Sequence, residues 1–170
     1  IASVSYGLNP LFALPLYASG IRVDSVLFYR YVFALLFLAV MMKMSGQSFA
    51  LKRNEILPVA VMGLLFSFSS LFLFQSFNYM DAGIASTILF MYPVLVAVIM
   101  AVFFKERLSV VKIASIATAF VGISMLYKGE GGATLSMTGV CLVLMSSLTY
   151  ALYIVGVNRS SLKEMPGLKL

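Results

Sequence analysis

Tyr6, Asn9 and Pro10 are the first residues in this chain whose types and spacing carry chemistry. They lie in SVSYGLNPLFALP, where an amide side chain and two prolines interrupt an apolar run. Proline lacks an amide proton, and its ring clashes with the carbonyl four residues earlier, here that of Tyr6. A freed carbonyl and a side-chain amide in hydrocarbon must be received by protein or by a water-filled cavity. Two arrangements meet that need. One is a kink whose polar groups bond to neighbouring helices. The other is a kinked, cavity-lining helix of the kind that marks solute sites in carriers. Pro15 places a second break near the outer end of the same run.

Ser67, Ser70, Gln75 and Asn78 recur at spacings that share one side of a helix. A polar stripe within a membrane faces other helices or water. Serines also satisfy themselves on their own helix, so Gln75 is the more informative member. In the next apolar run Ser86, Phe90, Pro93 and Ala97 share a side, and Tyr92 stands beside the proline, at a cavity or at an interface. Tyr150 and Tyr153 belong to the last apolar run. The candidate solute-binding set is therefore Tyr6, Asn9, Ser70, Gln75, Phe90, Tyr92, Tyr150 and Tyr153, with helix breaks at Pro10, Pro15 and Pro93. Aromatic walls with a few directing polar groups suit a ligand with an apolar body, although rings at 14% of the chain are also explained by packing against lipid.

Other chemistry is excluded by residue type. The sequence has no histidine, so histidine metal sites, triads and proton relays do not arise. All six acids stand near the ends of apolar runs, and a serine nucleophile without a base is unsupported. No catalytic residue, metal site or cofactor is expected. The one cysteine, Cys141, lies in an apolar run and reads as a small packing residue.

The elements that position these residues follow from composition. At 62% hydrophobic and 11% charged, with mean hydropathy +1.03, the chain falls outside the range of soluble domains. Helices of roughly 20 apolar residues cross a bilayer. Six such spans are predicted: about Ile1–Tyr17, Ser25–Met42, Glu55–Phe77, Gly83–Phe104, Leu108–Tyr127 and Ser136–Val157. Ile1 is already apolar, so the first helix is expected to begin before it, and no signal peptide of charged, short-core form is expected within these residues. Basic residues sort by loop. Arg22 follows the first span; Lys43, Lys52 and Arg53 the second; none the third; Lys105, Arg107 and Lys112 the fourth; Lys128 the fifth; Arg159, Lys163 and Lys169 the sixth. By the positive-inside rule the even-numbered spans end in the cytoplasm and the N-terminus is cytoplasmic. The basic charge is thus topological, and no nucleic-acid partner is implied. Arg30, near the outer end of the second span, is left with three readings: snorkelling to the headgroups, pairing with Asp24 or Asp81, or touching solute. Ser115 with Ala119, and Thr118 with Gly122, are small pairs that let the fifth span pack closely.

From Asp81 to Lys112 the chain reads DAGIASTILFMYPVLVAVIMAVFFKERLSVVK: a small-residue start, a central proline, a charged stop and almost no loop before the next helix. Together with SFNYMDAGIAS before it and FYRYVFALLFLAV at Phe28–Val40, this resembles the EamA-type module of the drug/metabolite transporter superfamily. Two positions depart from that module: Lys105 stands where a small residue is usual, and Ala114-Ser115 replaces a common glycine. The resemblance implies an all-α, polytopic membrane bundle, part of a ten-helix inverted-repeat carrier. Residues 1–130 would be the first five-helix repeat, and 131–170 a linker and the first helix of the second, incomplete. An offset of 144 residues agrees, laying Ser3, Ser5, Tyr6 and Leu8 on Ser147, Thr149, Tyr150 and Leu152. A five-helix unit repeated once returns inverted, as in secondary transporters. The expected function is secondary transport, by export or exchange, of small metabolites such as amino acids in a bacterial inner membrane. The alternative is a non-transporting receptor or assembly subunit. Expected partners are a small-molecule solute and the lipid bilayer, with a homodimer left open.

Overall fold

The computed structural model describes residues 9–46, 53–106 and 136–164, together with 114–115, 117–118 and 121. These are helical throughout, with no strand among them: α1 (Asn9–Ala18), α2 (Val23–Met44), α3 (Arg53–Ser76), α4 (Ala82–Leu89), α5 (Tyr92–Phe104) and α6 (Met137–Arg159), then a short 3-10 turn at Ser161–Glu164. Four stretches are long and apolar enough to cross a membrane: α2, α3, α4 with α5, and α6. Their 22 to 24 residues make rods of about 33–36 Å, matching a hydrocarbon core of about 30 Å. The second, third, fourth and sixth expected spans thus correspond to observed helices. Of the first span the structure describes only its part from Asn9 onward, and the fifth falls almost wholly outside the described residues.

Side chains show why these helices need lipid. Phe28, Phe33, Leu35 and Phe37 of α2 are each more than 60% exposed, and no more than 28% of any spanning window is buried within the chain. A helix apolar all round belongs in a membrane or in a large core.

The chain divides into two compact units, residues 1–64 with 156–170, and residues 65–155. In the first, α1 packs on α2, with Ala13, Val23 and Leu27 buried. Pro15 lies inside α1, which runs on to Ala18. The helix then closes at Gly20, whose φ of +81° is the left-handed conformation glycine adopts freely. There the amides of Gly20 and Ile21 donate to the carbonyls of Tyr17 (2.9 Å) and Leu16 (3.1 Å). At the head of α2, Asp24 pairs with Arg22 at 3.2 Å. Both side chains are well exposed, so the pair contributes little.

The second unit is built around α6. Its buried residues, Gly139, Val143, Ser146, Ser147, Ala151 and Val155, form a stripe of small side chains down one face. Ser69 of α3 and Leu89 of α4 meet it through Ser146 and Ser147, and Ser70, Leu73 and Phe74 of α3 and Ala82, Ala85 and Ile88 of α4 are buried as well. Small residues let backbones approach, which supplies the dispersion contacts that hold helices together in lipid. Gly139 sits so close to Met80 that an added Cβ would lie 3.0–3.3 Å from its side chain. The carboxylate of Asp81 caps α4, accepting from the amides of Gly83 (2.8 Å) and Ile84 (3.2 Å). Asp81 is thereby committed to a backbone cap, and Asp24 to Arg22.

Candidate functional site

The fourth span is interrupted. α4 ends at Leu89, Phe90 and Met91 form a turn, and α5 starts at Tyr92 with Pro93 in its first turn. Proline suits a helix start because its missing amide proton falls where no helical partner exists.

A group of rings lies beside this turn. Tyr92 of α5 meets Tyr150 of α6 edge to face, with centroids 4.8 Å apart at 86°. Tyr150 stacks with Tyr153 at 5.8 Å and 22°. Phe66 of α3 reaches both, 5.5 Å from Tyr153 and 6.2 Å from Tyr150. Phe90 is 6.5 Å from Tyr92 and is itself 58% exposed. These separations fall in the range of favourable offset and edge-on ring pairs. Tyr92, Tyr150 and Tyr153 are only half-buried. The cluster is therefore a partly open aromatic surface edged by tyrosine hydroxyls, with no acidic or basic side chain among these five rings.

Two buried serine contacts lie within about two helical turns of it. Ser69 Oγ donates to the Ser146 carbonyl at 3.0 Å, and Ser146 Oγ to the Ser69 carbonyl at 2.6 Å, with the hydroxyls 3.1 Å apart. Ser147 Oγ donates to the Leu89 carbonyl at 3.2 Å. The pairs Phe66–Tyr150, Ser69–Ser146 and Met80–Gly139 run in opposite numerical directions, so α3 and α6 are antiparallel. Leu89–Ser147 and Tyr92–Tyr150 ascend together, so the fourth span and α6 are parallel.

Four of the sequence candidates, Phe90, Tyr92, Tyr150 and Tyr153, thus share one cluster. Ser70 is buried on α3 beside Ser69. Gln75 is half-buried on α3, about 13 Å along that helix from Phe66 at its standard rise. The polar stripe is shorter than its spacing suggested: Asn78 lies beyond the end of α3 in a turn, and Ser67 is exposed. Tyr6 lies outside the described residues. Asn9 and Pro10 are placed by backbone alone, at the first described residues of α1. Phe66, Ser69, Ser146 and Ser147 were missed from sequence. The signal for three of them was present as two serine pairs, 69–70 and 146–147, each inside an apolar span.

Helices of spanning length, apolar on their outer faces and tied by small and hydroxylated residues, define a polytopic integral membrane protein. Residues 1–128 match the EamA-like transporter family, and the chain belongs to it. It is 29% identical over 131 residues to an uncharacterized transporter of Bacillus subtilis, YxxF, covering 74% of this chain and 42% of that protein. A second B. subtilis uncharacterized transporter, YvbV, is 28% identical over 112 residues, 65% of this chain and 37% of its own length. An uncharacterized transporter of Archaeoglobus fulgidus is 28% identical over 75 residues, 44% of this chain and 26% of the relative. The chain therefore spans less than half the length of the relatives it matches. No solved structure matches it.

Proposed function

We propose that this chain is the first five-helix repeat, plus the opening helix of the second, of a secondary transporter that moves small metabolites by alternating access. Its solutes are polar or amphipathic molecules with an apolar body, amino acids among them, and its direction is export or exchange. The observation that carries this reading is the interrupted fourth span, whose break lies beside rings from three helices: Phe66, Tyr92 and Tyr150. A helix broken within hydrocarbon is tolerated where protein or a cavity receives its freed groups, and carriers use such breaks as solute sites. The tyrosine faces would hold the apolar body while their hydroxyls direct polar groups. Family membership supports transport over a receptor or assembly role. The charge distribution along the loops supports a cytoplasmic N-terminus, and the membrane proposed is a bacterial cytoplasmic one.

Counterflow tests this. Liposomes holding the complete carrier and loaded with a mixed pool of unlabelled amino acids should accumulate at least one labelled member of that pool above protein-free liposomes. The accumulation should fall when Tyr150 is replaced by alanine. A complete, correctly inserted carrier that moves none of a broad panel of metabolites would overturn the reading.

A further inference from the structure

We propose that Ser147 is a positioning residue whose hydroxyl stands in for the amide proton that Pro93 lacks. By that one bond the sixth helix holds the bend of the fourth span, and with it the placement of Tyr92 against Tyr150. In an unbroken helix the carbonyl of Leu89 accepts from the amide four residues on. That residue is Pro93, which has no proton to give.

Four amides around the break turn elsewhere. The Phe90 amide turns back to the carbonyls of Ser86 (3.4 Å) and Thr87 (3.1 Å), and that of Met91 to Ile88 (3.0 Å). Beyond the proline, the amides of Val94 and Leu95 go to Met91 at 3.0 and 3.2 Å. None of these four amides goes to Leu89, and Ser147 Oγ donates to its carbonyl at 3.2 Å.

Ser147 behaves unlike the threonines of this chain. Thr87, Thr118 and Thr149 donate to their own helix four residues back, at 2.8–2.9 Å. Such back-bonding is the default for a hydroxyl inside a helix. Ser147, fully buried, donates across to another helix instead. Tyr150 follows it by three residues and so lies on the same face of α6. Ser147 thus holds the end of α4, while Tyr150 meets the first residue of α5. A shift of α6 along the fourth span releases the carbonyl and frees the bend to change. The device is independent of which solute is carried.

Spin labels read the bend directly. With Cys141 replaced by alanine, labels at exposed Tyr79, in the turn before α4, and at exposed Phe103, near the end of α5, flank the break. They are measured in lipid nanodiscs, without solute. Pro93→Ala restores the amide and should lengthen the separation towards a straight helix. Ser147→Ala should broaden the distribution in the proline background and change nothing in the Pro93→Ala background. A Ser147→Ala chain that fails to insert should be rescued by Pro93→Ala. An unchanged distribution in Ser147→Ala, equal broadening in both backgrounds, or failed insertion in both would overturn the proposal.

Discussion

Replacing Ser69 tests how α3 and α6 are held together. Each hydroxyl of the Ser69–Ser146 pair donates to the carbonyl of the other residue. Ser69→Ala removes one of these bonds and the contact between hydroxyls, but strands nothing. Ser146 Oγ keeps its acceptor at 2.6 Å, and the Ser146 carbonyl keeps the Thr149 hydroxyl at 3.0 Å. Interhelical bonds of this kind in bilayers average about 0.6 kcal/mol and rarely exceed about 2 kcal/mol. The expected loss is therefore about 0.5–1 kcal/mol for either serine. The double replacement should cost slightly less than the sum, because both single changes lose the shared hydroxyl contact. Ser69→Leu is a different perturbation. With Ser69 4% and Ser146 0% exposed, there is no room for the extra carbons, and overpacking of a tight interface costs about 1–3 kcal/mol. Unfolding of the purified chain in mixed micelles, titrated with a denaturing detergent, measures all four variants. A Ser69→Leu chain as stable as the parent would refute the close packing of α3 on α6. A loss above about 3 kcal/mol in Ser69→Ala would mean that the hydroxyl anchors a wider network than this pair.

Tyr150→Ala and Asn9→Ala in the complete carrier should each weaken solute binding by about 1–3 kcal/mol, with Tyr150→Ala also losing stability because it touches three rings. Tyr150→Phe keeps those ring contacts, so weaker binding with unchanged unfolding would assign the hydroxyl to the solute, and unchanged binding in all three would move the site elsewhere. Lys105 closes α5 at φ +53°. Lys105→Gly should therefore raise stability by about 1 kcal/mol in the same micelle titration, and a loss would show that the lysine side chain holds the helix end. For topology, cysteines at exposed Met44 and Tyr79, with Cys141 replaced, should be labelled from the cytoplasmic and the outer side respectively; the reverse pattern would invert the assignment.

Hydrophobicity, length and charge are local properties, and they were enough to place most of this fold from sequence. A run such as Glu55–Phe77 must be a helix in lipid because no other single segment satisfies its own backbone there, and the observed helix, Arg53–Ser76, differs by one or two residues at its ends. Pro93 was equally legible, since a missing amide proton is a property of one residue. Lys105 shows the reverse case. Its departure from the EamA-type module came with the resemblance, but the left-handed backbone that favours glycine there is seen only in the structure. Pairing between helices was not legible. Nothing local distinguishes Ser67, which is exposed, from Ser69, which is buried against Ser146, because two residues along a helix is a turn of about 200°. Which side of each span meets a neighbour depends on how the small-residue face of α6 seats against α3 and α4, a choice made by many weak contacts together. The same seating brings Phe66 to Tyr150 and carries the Ser147 hydroxyl to a carbonyl 58 residues away.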